Sequence, residues 1–291
     1  MASEGDRRAD PEVERRSRLL GGLHFEGEGA RGVAIALLST AVFLTVVVVA
    51  VTQSAGWPEV KRSFFDWGDI SSSFPDIARA FVLNVKIFLV CEVCILALAL
   101  FIAVLRSLPG PVFFPLRALA IIYADLARGV PTILVIALLG FGAPALQLTG
   151  VPRSRVFWAG VGLILVYSGY VAEVYRAGIE SVHPSQEAAA RSLGLTRFQA
   201  LRRVILPQAI RRVIPPLLND FIGLQKDTAL VGTLGVVEAF NQSQIDTAAT
   251  FNYTPYLAAA VLFVAITIPL ARFTDWLILR GRRRQLAARA A

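Results

Sequence analysis

From Gly32 to Pro58 the chain carries no charged residue, and the stretch from Val33 to Thr52, VAIALLSTAVFLTVVVVAVT, has the length of a helix that crosses a bilayer core. A helix apolar on every face has no polar side to offer water, so lipid is the solvent it suits. Further apolar segments follow at about residues 81–105, 112–141, 157–178, 216–237 and 255–279. The sequence therefore predicts an all-α, polytopic membrane protein with about six transmembrane helices. Composition agrees: 55% of the 291 residues are hydrophobic and only 17% are charged.

Basic loops are retained in the cytoplasm, so the positions of Lys and Arg orient the spans. With the N-terminus inside, the cytoplasmic segments hold 20 basic residues, among them Arg106, Arg117 and the run from Arg176 to Arg212, against 5 outside, namely Lys61, Arg62, Arg79, Arg153 and Arg155. Both termini are then cytoplasmic, and the net charge of +8 is explained by topology, with no nucleic-acid partner expected. The organisation expected is a disordered segment at 1–31, an additional helix and external loop at 32–80, a transmembrane domain at 81–279 and a basic tail at 280–291. The first apolar run is too long for a signal peptide and lacks a small-residue cleavage site, so it is read as a retained helix. Trp57, Trp67, Trp158 and Trp276 fall near span ends, as an interfacial belt requires.

Several chemistries are excluded. Cys91 and Cys94 lie inside an apolar run with no further Cys, and the two histidines, His24 and His183, fall outside the spans, so no metal centre is expected. No catalytic constellation is evident. Neither a G-x-x-x-x-G-K-[ST] loop nor a G-x-G-x-x-G opening a helix after a strand is present, so this chain is expected to bind no cofactor of its own, and any ATP and Mg²⁺ belong to a partner.

One charged stretch interrupts this pattern: HPSQEAAARSLGLTRFQALRRVILPQA, residues 183–209. Ser185 is a suitable N-cap, Glu187 sits in the first turn, and Gly194 supplies a helix stop. Thr196 and Gln199 then form a capping box that opens a second helix, carrying Phe198, Leu201, Val204 and Ile205 near one face up to Pro207. The small residues Ala188, Ala189, Ala190 and Gly194 let another protein approach closely. On these residues alone, the alternative is a helix resting on lipid headgroups through Arg191, Arg197, Arg202 and Arg203.

The stretch resembles the cytoplasmic coupling loop of ABC importer permeases, whose pattern is Glu-Ala-Ala, three residues, Gly, then a distant Leu-Pro. The resemblance continues through YADLARGVP (123–131), SGYVAEVYRAGIESV (168–182), LPQAIRRVIPPLLN (206–219) and LQKDTAL (224–230), blocks similar to the polar amino acid branch of that family. It implies a permease fold like that of the methionine importer, working as one of a pair of permease subunits that are identical or related. Two cytoplasmic ATPases would grip the coupling loops through Glu187, Ala188, Ala189, Ala190, Arg191 and Gly194. An extracellular or periplasmic binding protein would deliver the amino acid. Two departures stand out: Glu187 lies one residue before the family's Glu position, about 100° around a helix, and Thr228-Ala229-Leu230 replaces the usual Thr-Ser-Leu.

Charges inside the spans are costly in lipid and face a bundle interior or a polar cavity. Asp125 with Arg128, and Glu173 with Arg176, are each three residues apart and can pair along one face. A zwitterionic substrate needs a cation for its carboxylate and an anion for its ammonium. Arg128 and Glu173 are the first candidates to line that route, with Asn219, Lys226, Asp227 and the mid-span Glu92 behind them; the alternative is that these residues staple helices together. A stand-alone ion-coupled transporter of a small zwitterion would also use such charges, but it has no use for a coupling loop.

Overall fold

The computed structural model describes the backbone of residues 30–290 and the side chains of residues 32–280, and every regular element described is helical. The expectation of disorder at 1–31 lies almost wholly outside the described residues. The chain divides into two units, Met1–Val60 and Lys61–Ala291. In the first, helix α1 (Ala30–Thr52) presents Ile35, Leu37, Leu38 and Phe43 as exposed side chains, the surface expected of a helix in lipid. A short helix, α2 (Trp57–Phe64), crosses the boundary between the units.

The second unit is a helical bundle. It opens with α3 (Trp67–Ser107), 41 residues long and about 60 Å at 1.5 Å per residue, roughly twice the thickness of a bilayer core. Asp66 starts it by accepting hydrogen bonds from the backbone N–H groups of Gly68 and Asp69 at 2.8 and 3.3 Å. Its first turns carry Asp69, Asp76 and Arg79, so only the later part is apolar enough for lipid, which is why the apolar run in the sequence starts at 81.

The third expected span is broken. Helices α4 (Phe114–Gly129) and α5 (Thr132–Ala145) meet at 101°. Val130 stands before Pro131 with φ −98° and ψ 131°, the extended conformation that a following proline imposes, and this ends α4.

Helix α6 (Arg155–Glu180) is the bundle's centre, with Ala159, Leu163, Val166 and Ala172 fully or almost fully buried. Close packing here depends on small residues, as expected where lipid removes the hydrophobic drive between helices. A Cβ on Gly162 would lie 3.2 Å from Ile136 Cα of α5, and one on Gly169 would lie 2.5 Å from Ala127 Cβ of α4.

After α6 come α7 (Pro184–Ser192), α8 (Arg197–Ala200), a π turn at Leu201–Ile205, and α9 (Leu206–Asp227). A 3₁₀ segment, Thr228–Leu234, leads through Gly235 at φ +71° to α10 (Ala239–Thr250) and α11 (Thr254–Ala290). The expected span 216–237 is thus not one helix: α9 stops at Asp227 and the chain tightens, burying Thr228, Val231 and Leu234. The tail at 280–291 continues α11 as helix to Ala290. Among the described residues four helical stretches are long and apolar enough to cross a membrane, and the bent α4–α5 pair makes a fifth.

Candidate functional site

The loop at 183–209 folds as a helix, a glycine stop and a second helix. Its N-cap is His183 and not Ser185: Pro184 takes the first helical position, and the His183 ring accepts the Ser185 backbone N–H at 3.2 Å. At the other end Gly194 adopts φ +83°, with Leu195 N–H bonded to Ala190 C=O at 3.2 Å and Gly194 N–H to Arg191 C=O at 3.0 Å. That is a Schellman stop. Thr196 and Gln199 form the reciprocal capping box, at 2.9 and 3.3 Å.

The second helix does not end at Pro207. Proline has no N–H and its ring crowds the preceding turn, and the ladder widens just before it: Leu206 N–H bonds back to Leu201 C=O. The helix then continues into α9, so the loop is joined without a break to a helix of the bundle.

The junction between α6 and the loop is also tied to α9. Arg212 donates to the Ser181 carbonyl, and Gln208 reaches Gln186 at 3.5 Å. A Cβ on Gly178 would overlap Val213 Cγ2 and stand 3.5 Å from the Ala209 carbonyl, so at this point α6 and α9 approach as closely as they do only because residue 178 has no side chain.

Of the six residues expected to face a partner, Ala188, Ala189, Arg191 and Gly194 are exposed. Ala190 is turned inward and is 4% exposed. Glu187 is half-buried, with its carboxylate 3.7 Å from Arg197 across the glycine bend. The most prominent apolar groups of the loop are Leu193 and Phe198, 83% and 70% exposed. The 3.6-residue rhythm puts Phe198 on an inward face, but helix α8 is only one turn long before the π turn resets the register.

The intramembrane candidates separate into two groups. Arg128 and Glu173 meet each other: the Arg128 guanidinium lies 3.5 Å from Glu173 Oε2, and Arg106 donates to the same oxygen at 2.9 Å. Arg176 pairs with Glu173 as its spacing predicts and also holds Glu180. The Asp125–Arg128 pair does not form, because Arg128 turns to Glu173 and Asp125 is exposed. By sequence Arg106 is only a loop charge, and spacing gives no sign of a partner 67 residues away.

The second group lies elsewhere. Tyr167 on α6 donates to Asp227 Oδ2 at 2.9 Å; residue 167 stands about 9 Å along the helix from Glu173. Glu92 and Asp220 are half-buried, and Asp220 Oδ2 is a buried oxygen with no hydrogen-bond partner among the described residues. Asn219 and Lys226 are exposed.

A third set escapes sequence reasoning altogether. Asn84 of α3, 1% exposed, donates to Glu238 Oε2 at 2.8 Å and to Thr228 Oγ1 at 3.2 Å, and accepts from the Ala239 N–H at 3.1 Å. Glu238 is fully buried and caps α10 through the Phe240 and Asn241 N–H groups. Burial pushes its pKa up, and the backbone and Asn84 donors oppose that by favouring the carboxylate. A lone acid in the apolar run GTLGVVEAF is the available signal.

The profile of the family described as binding-protein-dependent transport system inner membrane component matches residues 95–283. The chain belongs to that family. A probable amino-acid permease protein of Bacillus subtilis, YxeN, is 38% identical over 206 residues, covering 70% of this chain and 90% of that protein. A probable amino-acid ABC transporter permease protein of Vibrio harveyi, PatM, is 36% identical over 182 residues, covering 62% and 80%. Among solved structures, an amino acid ABC transporter crystallised with histidines superposes with a TM-score of 0.67 at 29% identity, covering 74% of this chain and 98% of that one. The inward-facing MetNI methionine ABC transporter shares the fold, with a TM-score of 0.56 at 17% identity and coverage of 70% and 95%.

Proposed function

We propose that this chain is the membrane-embedded permease subunit of an ATP-driven importer of polar amino acids, and that residues 183–209 dock on a separate cytoplasmic ATPase. The observation that carries the proposal is the build of that loop. A two-helix element, closed by a Schellman stop and a capping box, follows α6 through a junction hydrogen-bonded to α9 and is itself continuous with α9. Such an element moves with its neighbouring helices as a body, as a lever must. It also presents Leu193 and Phe198 to the outside, and an exposed aromatic on a rigid element is a suitable anchor for a partner's socket.

On this reading the loop and both termini face the cytoplasm, and the opposite end of the bundle receives amino acid from a binding protein. Two ATPase subunits serve a pair of permease subunits, and ATP with Mg²⁺ is bound by the ATPases. The similarity to named amino-acid permeases supports the substrate class. Substrate passes the α3–α6–α9 seam, where Glu92, Asp220 and Asp227 offer carboxylates to an ammonium group, while Arg128 and Glu173, already neutralising each other, hold helices in place.

Co-purification tests the docking. The wild-type chain is expected to bring an ATPase through affinity purification in detergent, and Phe198→Asp is expected to lose it while remaining inserted. Retention of the ATPase by Phe198→Asp would overturn the docking assignment.

A further inference from the structure

Three guanidinium groups converge on one carboxylate where α3, α4 and α6 meet. Arg106 is the penultimate residue of α3, Arg128 is the penultimate residue of α4, and Glu173 stands two turns before the end of α6. The side chains of Arg106 and Glu173 are 13% and 24% exposed, so the pair is largely withdrawn from water.

The two carboxylate oxygens have different duties. Arg176 engages both, but it shares α6 with Glu173 and travels with it. Oε2 alone reaches other helices, to Arg106 at 2.9 Å and to Arg128 at 3.5 Å. A rigid shift of α6 by about 1–2 Å, typical of helix movements in switching proteins, leaves the Arg176 pair intact and breaks both contacts through Oε2.

The same helix leads to the coupling element. Glu180 ends α6, four residues before Pro184 opens α7, and Arg212 and Gly178 lock that junction to α9. Displacement of α7 is therefore passed across the short junction at 181–183 to α6 and along α6 to Glu173. We propose that Glu173 is a positioning residue of the transport cycle: its Oε2 clasps the ends of α3 and α4 to α6 while the coupling element is at rest, and lets go of them when α7 is pulled. The inference rests on the import reading for what does the pulling.

The charge balance sets the sign. Three guanidiniums face Glu173 and Glu180, and removing Glu173 leaves the cations to repel one another in a site partly shielded from water. Loss of the carboxylate therefore favours the released arrangement. Arg106→Met removes only the link to α3 and leaves Glu173 neutralised by Arg176.

The test is a distance measurement on the full chain in its copurified complex. Val104→Cys on α3 and Ile179→Cys on α6, both exposed positions, carry spin labels in a Cys94→Ser background, since Cys94 is an exposed thiol and Cys91 is buried. Double electron–electron resonance is recorded without nucleotide and with ATP and Mg²⁺. Wild type is expected to show one resting distance that shifts with ATP. Glu173→Gln is expected to show the shifted distance without nucleotide, with the released population raised on the order of tenfold. Arg106→Met should behave similarly, and it stands in should Glu173→Gln not assemble; Glu173→Asp should keep the resting distance. Superimposed resting distributions for wild type, Glu173→Gln and Arg106→Met would overturn the clasp and leave the import reading intact. A wild-type distribution indifferent to ATP, with Glu173→Gln already shifted, would overturn the import reading and leave the clasp standing.

Discussion

Gly178→Ala tests how the coupling element is held. The added Cβ would overlap Val213 Cγ2, and Val213 is stiff because β-branched residues hold one rotamer in a helix. With Val213 7% exposed and the Ala209 carbonyl 3.5 Å from the new methyl, there is no free direction for either side chain. The helices must part, at a cost of about 1–3 kcal/mol for an overpacked contact. Val213→Ala alone deletes two methyl groups, roughly 1.6 kcal/mol at ~0.8 per methylene. The pair is different. In Gly178→Ala/Val213→Ala the offending Cγ2 is gone and the nearest Val213 atom left is Cβ at 3.4 Å, an ordinary contact. One methyl replaces two, a net loss of roughly 0.8 kcal/mol. Thermal unfolding in detergent and substrate-stimulated ATPase activity of the complex should both rank the double variant above either single one. Additive losses would refute the argument, because they would mean that Gly178 and Val213 do not share one contact.

Gly194→Leu is expected to cost about 1–2 kcal/mol of local strain at a left-handed residue and to uncouple transport, since a Cβ placed there would meet no atom within 4 Å and the side chain would project onto the docking face; normal uptake would count against the docking face. Thr196→Ala removes the cap of α8 and should weaken ATPase association by about 1 kcal/mol, roughly fivefold, in titrations of the solubilised complex. Arg128→Ala removes a half-exposed ion pair and should leave the complex assembled, with at most ~1 kcal/mol lost, but with transport reduced because α4 loses its tie to Glu173; unchanged transport would count against that tie.

The parts of this protein legible in its sequence are the local ones. The glycine stop at 194 and the Thr196–Gln199 box depend on residues within one turn of each other, and both form as their spacing predicts. His183 displaces Ser185 as cap because Pro184 claims the first helical position, a competition that cap preference alone does not resolve. The break between α4 and α5 is hidden inside an apolar run, although Val130-Pro131 carries the signal. Contacts between distant helices are the least legible. Glu173 has a visible partner in Arg176, while Arg106 and the buried pair of Asn84 and Glu238 are joined only by the packing of α3 against later helices. The same packing holds the polar groups that the membrane would otherwise penalise.

The most direct test of the import reading is ATP hydrolysis by the complex that copurifies with this chain, reconstituted in lipid with its binding protein and each of the twenty amino acids in turn. Stimulation by a small set of polar amino acids, abolished by Phe198→Asp, is the predicted result. Uptake of amino acid driven by an ion gradient, with no copurifying ATPase, would contradict it.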